Sequence, residues 1–171
     1  MASAGTAPAR IPATNPTTTS IPPHMLAAAR VRSGAGWFYW IAGLSLINSA
    51  VVIFGGNFHF VIGLGMTAVV DALAKQVGSA GVALDIVING IIAGIFFLFG
   101  SFARKAQKWA FAVGMAIYAL DALLLLMVKD ILSVGFHAYA LYAIYRGFSA
   151  IAQMRSASAA HAMSGAAIEP R

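Results

Sequence analysis

Residues 81–103 read GVALDIVINGIIAGIFFLFGSFA, and this stretch decides the fold. It contains a single charged side chain, Asp85, and no proline. As a helix it is about long enough to cross a hydrocarbon core of ~30 Å. Three more apolar stretches of similar length occur at 37–56, 109–128 and 131–152. The sequence therefore predicts an all-α integral membrane protein, a four-helix bundle in which every helix spans the bilayer.

The composition indicates that lipid surrounds most of the chain. Of the 171 residues, 60% are hydrophobic and 9% are charged, whereas about 25% of the residues of a soluble domain are charged. The absence of cysteine excludes disulfides and cysteine-based metal or redox sites. The net charge is +6, and most of the basic residues lie near the ends of the apolar stretches. We therefore attribute it to membrane orientation and to contact with the lipid bilayer, not to nucleic acid.

The basic residues also predict the orientation of the chain. If the four spans alternate in direction, every Lys and Arg except Lys75 and Lys129 falls on one side. Excess Lys and Arg mark the cytoplasmic side of a membrane protein. We therefore expect a multi-pass protein of the cell membrane with both termini in the cytoplasm (N-in/C-in). A reporter fused after residue 106 should be cytoplasmic, and an outward reporter there would contradict this orientation.

The predicted domain organisation places a transmembrane domain at 34–153 between two cytoplasmic tails. The tail at 1–33 is rich in Ala, Thr and Pro, which predicts disorder apart from a short amphipathic helix near its end. Ser-Gly-Ala-Gly at 33–36 should break that helix. The tail at 154–171 is predicted to be disordered.

The region between the first two spans is harder to assign. Residues 58–70 are apolar, but a helix of this length covers only about 20 Å, which is too short for a full crossing. Asp71 and Lys75 follow at the i,i+4 spacing of a paired helix surface. We expect an interfacial or re-entrant helix at about 58–75 on the outer face, followed by a flexible turn at 78–81.

Polar residues of the four spans fall in one layer, about 6–12 Å below the outer end of the bundle. Ionisable groups at such depths are costly and are functional candidates by default. The short turn at 129–130 makes the last two spans neighbours, so Asp121 and His137 should pair. The candidates for binding a ligand or a proton are Asn48, Asp85, Asn89, Tyr118, Asp121 and His137.

Three interpretations of this layer remain open. The polar groups can pair across helices and fix their register, which is a structural role. They can also bind or transport a proton, a cation or a small polar solute. In the third interpretation, Asp85, Asp121 and His137 are the ligands of a divalent metal ion, which leaves an intramembrane metal-dependent enzyme open. The sequence indicates no particular cofactor.

The expected function is that of a non-enzymatic accessory or scaffold subunit of a membrane complex. The chain is small, its loops are short, and it carries no nucleotide-binding or catalytic-triad motif. Gly90 and Gly94 have the small-xxx-small spacing that lets two helix backbones approach closely. We expect them to pack against another helix of the same chain. The alternative is a homo-oligomer or a contact with a membrane-protein partner.

Overall fold

The structure, a computed structural model, describes residues 21–53, 65, 66, 69, 73, 76 and 79–166. Within this part of the chain there are four long helices and no strand, which confirms the all-α class. The helices are α1 (Pro23–Ile53), α2 (Ser79–Arg104), α3 (Lys108–Met127) and α4 (Ile131–Ala166). The predicted tail at 1–20 lies outside the described residues.

The helix predicted at 58–75 also lies mostly outside the description. Five residues between α1 and α2 are described, and all five are helical: Gly65, Met66, Val69, Leu73 and Gln76.

Helix α1 lies at the centre of the packing and contacts both α2 and α4, while α3 packs against α4 and α2. Phe38 of α1 is fully buried, and its ring packs against the rings of Phe96, Phe99 and Phe111. Gly114 of α3 makes room for it, because a Cβ atom there would lie 2.5 Å from Phe38 Cε1. Aromatic packing thus joins α1, α2 and α3.

Much of the outer surface of α2 and α3 is apolar. Large hydrophobic side chains on α2 and α3 are exposed, among them Ile91 and Leu98 on α2 and Leu120 and Leu123 on α3. Exposed apolar surface on this scale is typical of a protein that contacts lipid or a partner.

Two segments of the described residues, Ile86–Arg104 and Lys108–Met127, are long and apolar enough to cross a membrane. The structure thus supports two of the four membrane spans that the sequence predicts. Helices α1 and α4 are less apolar, because α1 carries Arg30 and Arg32 and α4 carries Arg146 and Arg155.

Helix α1 begins before the predicted span at 37–56, helix α4 continues beyond the predicted span at 131–152, and the predicted break within α1 was wrong. Helix α1 continues through Ser-Gly-Ala-Gly at 33–36, where a break was expected. The reason is tertiary packing: a Cβ atom on Gly34 would lie 2.6 Å from Gly147 Cα. The two glycines therefore bring the backbones of α1 and α4 together, and this close contact overrides the low helix propensity of glycine.

At its C-terminal end, α4 extends to Ala166 and does not end near 152. Residues 154–166 are rich in alanine, the best helix former, and Met154 packs against the core. Helix α2 begins at Ser79, so most of the turn expected at 78–81 is helical.

The Gly34–Gly147 contact leads to a test with a matched control. Gly34→Ala should destabilise the fold by about 1–3 kcal/mol, because the new methyl group forces the two backbones apart. Gly36→Ala is the control, since a Cβ atom at that position meets nothing within 4 Å; the better helix propensity of alanine should leave stability equal or slightly higher. Unfolding by SDS titration in mixed micelles measures both changes. Equal stability of the two variants would contradict a close backbone contact.

Candidate polar site

Helices α3 and α4 bring Asp121 and His137 together. Asp121 lies on the buried stripe of α3 that also contains Gly114, Tyr118 and Leu125. His137 lies one short turn further along the chain, on the buried face of α4. His137 Nε2 is 2.9 Å from Asp121 Oδ2, and both side chains are almost completely shielded from solvent. The two residues thus lie as neighbours at matching depth, as the short turn led us to expect.

The carboxylate of Asp121 also binds the backbone between α1 and α2. The amide of Gly65 donates to Oδ2 at 2.8 Å, and the amide of Met66 donates to Oδ1 at 2.7 Å. A Cβ atom at position 65 would lie 2.8 Å from the Leu125 Cγ atom, so a larger residue there would require the Leu125 side chain to shift. Asp121 therefore ties a segment some 55 residues earlier in the chain to the core of the bundle.

The hydrogen bonds determine how many protons the pair holds. His137 Nδ1 is 2.8 Å from the backbone carbonyl of Ser133. A carbonyl oxygen only accepts, so Nδ1 carries a hydrogen. One further proton must then lie between Nε2 and Oδ2, either as an imidazolium beside a carboxylate or as a carboxylic acid beside a neutral imidazole. The pair has no net charge in either form.

Tyr118 completes the environment of the imidazole. Its ring stacks on that of His137, with ring centroids 4.2 Å apart and an angle of 17° between the planes. The Tyr118 hydroxyl is buried and has no hydrogen-bond partner among the described residues.

The turn between α3 and α4 positions His137. Asp130 caps the first turn of α4, because its carboxylate accepts hydrogen bonds from the hydroxyl and the backbone amide of Ser133. These two bonds hold the pKa of the Asp130 carboxyl below its usual range. The carbonyl of the same Ser133 accepts the Nδ1 hydrogen of His137. The cap therefore orders the turn that fixes the imidazole.

Two of the remaining polar candidates, Asn48 and Asn89, are buried on α1 and α2. Asn89 donates from Nδ2 to Ser49 Oγ at 2.9 Å, and both residues are buried. Asn48 is buried on the same stretch of α1. This second cluster contains neutral side chains, so the charged part of the described layer is confined to Asp121 and His137.

The metal hypothesis is not tested, because the side chain of Asp85 lies outside the described residues. Among the residues that are described, no group of three His, Asp or Glu side chains has the arrangement of a metal site. Sequence reasoning missed the backbone amides of Gly65 and Met66, and no side-chain pattern could have indicated them.

Among the described residues, no helix packs against Gly90 or Gly94, so the expected intramolecular contact stays a prediction. A Cβ atom on either glycine would meet nothing within 4 Å, and Gly43 of α1 is equally open. The three glycines line a groove of about 430 Å³ between α1 and α2. Tyr39, Ala42, Leu46, Ala93 and Phe97 form the rest of its lining.

Comparison with known proteins gives no match to a family model, to a curated protein or to a solved structure. The functional argument therefore depends on the geometry of this chain.

The hydrogen bonds of Asp121 predict a large effect of an isosteric change. Asp121→Asn replaces one acceptor oxygen with an NH₂ donor, which leaves a buried backbone amide or the imidazole without its partner. We expect a loss of about 1–3 kcal/mol in stability. Asp130→Asn removes the same charge at the turn but should change stability little, because Asn caps helices as well as Asp does. Thermal unfolding in detergent compares the two, and equal small shifts would contradict the structural role of Asp121.

Proposed function

We propose that the protein is a multi-pass membrane protein that acts as a non-enzymatic accessory or scaffold subunit. Helices α2 and α3 support the membrane location, since they are consecutive apolar segments joined by a basic turn containing Arg104, Lys105 and Lys108. The basic turn favours the N-in/C-in orientation. Helices α1 and α4 pack against this pair, and we assign them as the other two spans of a four-helix membrane bundle.

The observation that carries the scaffold role is the open groove between α1 and α2. Its glycines remove side chains from two adjacent helices, and a third transmembrane helix can then approach both backbones closely. The groove is almost wholly apolar, so another hydrophobic helix fits it better than a polar solute does. We assign the groove as the contact surface for a transmembrane helix of a second copy or of another subunit.

The polar layer is consistent with this role. Asp121 and His137 are bonded to each other and to backbone groups of the same chain. A buried ionisable pair that is satisfied in this way stabilises one arrangement of helices without needing a ligand.

A photoreactive amino acid at position 94 tests the groove directly. In native membranes it should form a protein adduct, whereas the same group at Leu123, an exposed position on α3, should react mainly with lipid. An adduct of twice the chain mass identifies a second copy, and another mass identifies a different subunit. Gly90→Leu should abolish the adduct while leaving the melting temperature within a few degrees, because that position has open space. No position-specific protein adduct would contradict the scaffold proposal.

A second candidate function is proton binding or proton transport. It is favoured by one observation, the 2.9 Å contact between Asp121 and His137 beside the Tyr118 hydroxyl, which has no hydrogen-bond partner among the described residues. A group that shares a proton inside a membrane can pass it on if water reaches it.

Liposomes containing the purified protein and a pH-sensitive dye distinguish the two candidates. Proton transport predicts acidification of the lumen under an imposed potential, and this flux should be lost in Asp121→Asn and weakened in Tyr118→Phe. The scaffold role predicts flux equal to that of protein-free liposomes. Flux that persists unchanged in Asp121→Asn would exclude this pair as the proton carrier.

A further inference from the structure

A cleft between α1 and α4 contains two arginine side chains that the proposed function does not use. Its volume is about 300 Å³. Arginine side chains from both helices line it together with aromatic, hydroxyl and methyl groups: Arg30, Ser33 and Trp37 of α1, and Tyr139, Ala143 and Arg146 of α4.

The glycine contact between the two helices builds this cleft. Arg30 and Trp37 lie one turn before and after Gly34, and Arg146 precedes Gly147. Because Gly34 and Gly147 touch through their backbones, the residues beside them are brought close together. The packing of α1 against α4 therefore fixes the backbone positions of the two arginines.

Neither arginine is neutralised within the described structure. The ion pair found among the described residues is the one between His137 and Asp121. Arg146 instead lies over the ring of Tyr142, 6.0 Å from its centroid. Two guanidinium groups in one cleft without a carboxylate form a site for an anion, and their planar donor geometry suits the oxygens of a phosphate group.

Position along the helices indicates where this anion lies. Trp37 and Tyr139 are in edge-to-face contact with ring centroids 5.4 Å apart. Each lies seven residues, about 10 Å of helix, from the arginine on its own helix, so the aromatic pair is deeper in the proposed membrane than the arginines. Arg146 lies about 22 Å along α4 from its first residue, close to the inner end of a ~30 Å hydrocarbon core.

We propose that this cleft binds the phosphate group of an anionic lipid of the cytoplasmic leaflet, with Arg30 and Arg146 contacting the phosphate oxygens. The acyl chains then run past Trp37 and Tyr139 along the apolar surface of α1 and α4. This site rests on the proposed membrane location, and it is separate from the groove and from the Asp121–His137 pair. Inorganic phosphate offers the same oxygens without the acyl chains.

Native mass spectrometry of the full chain in detergent tests the site with phosphatidylglycerol as the probe. Phosphatidylglycerol should be retained in preference to phosphatidylcholine, and Arg30→Gln/Arg146→Gln should weaken its retention at least about tenfold, because charge-assisted hydrogen bonds are lost. Arg32→Gln/Lys108→Gln removes the same charge outside the cleft and should weaken retention by about threefold or less. Arg30→Lys/Arg146→Lys keeps the charge but loses the forked donors, so it should fall between these two variants. Each variant must first keep the helicity and the elution volume of the unmodified protein; if the glutamine variant does not, the lysine variant carries the test.

Three outcomes would overturn the proposal. Equal losses in the cleft variant and its charge-matched control would mean that general surface charge, and not this cleft, attracts the lipid. Displacement of phosphatidylglycerol by millimolar inorganic phosphate would make free phosphate the ligand of the two arginines and remove the lipid as its source. Retention of both lipids to the same extent would show that the cleft does not recognise an anion. Extraction of native membranes with alkaline carbonate tests the membrane location independently of these three outcomes. A protein that carbonate releases is not embedded in the membrane, and this result would contradict the membrane location itself.

Discussion

The cost of burying an ionisable group among apolar helices governs this structure. A carboxylate at the position of Asp121 is far from water, so the chain itself must supply every hydrogen bond that water would have made. It does so with one imidazole and two backbone amides, from two different parts of the sequence. The position of α4 and the position of the segment around Gly65 are therefore fixed by the same side chain. Apolar packing alone is less directional and would permit more than one register of these elements.

A second constraint acts at the other end of the helices, where glycines allow close packing because they have no side chain. Gly34 and Gly147 let α1 and α4 touch through their backbones, and Gly114 accommodates the ring of Phe38. Helices in lipid associate largely through close van der Waals packing, since the lipid tails are as apolar as the side chains. Close glycine contacts thus stabilise one end of the helices. Directed hydrogen bonds near the Asp130 turn stabilise the other end. The glycines of the α1–α2 groove belong to the same class of contact but have no partner within the described chain.

The sequence predicted the elements well where hydrophobic length was the signal, and poorly where tertiary packing decided. The boundaries of α3 came within a residue of those observed, because a charged turn bounds it on each side. The pairing of Asp121 with His137 followed from a short turn and equal depth. The break expected at 33–36 was absent, because a glycine read as a local helix breaker serves instead as a contact surface for a residue more than a hundred positions away. The backbone partners of Asp121 could not be predicted at all, since an amide has no side chain to reveal it in a sequence.

The connection from Asp121 to the rest of the chain also constrains how the protein is made. An aspartate at the centre of a membrane helix opposes insertion by about 2.5–3.5 kcal/mol, which is an upper bound for Asp121, and its partner His137 is synthesised 16 residues later. In the membrane arrangement proposed above, helix α3 alone would therefore enter the bilayer with its most costly group unpaired. Insertion of α3 and α4 as a hairpin removes this cost, because the Lys129–Asp130 turn brings the imidazole to the carboxylate as soon as α4 follows. The segment at 65–66 is synthesised much earlier but can be tied down only after that hairpin has formed. Helices α3 and α4 thus provide the hydrogen-bond partner of a segment that is synthesised before them.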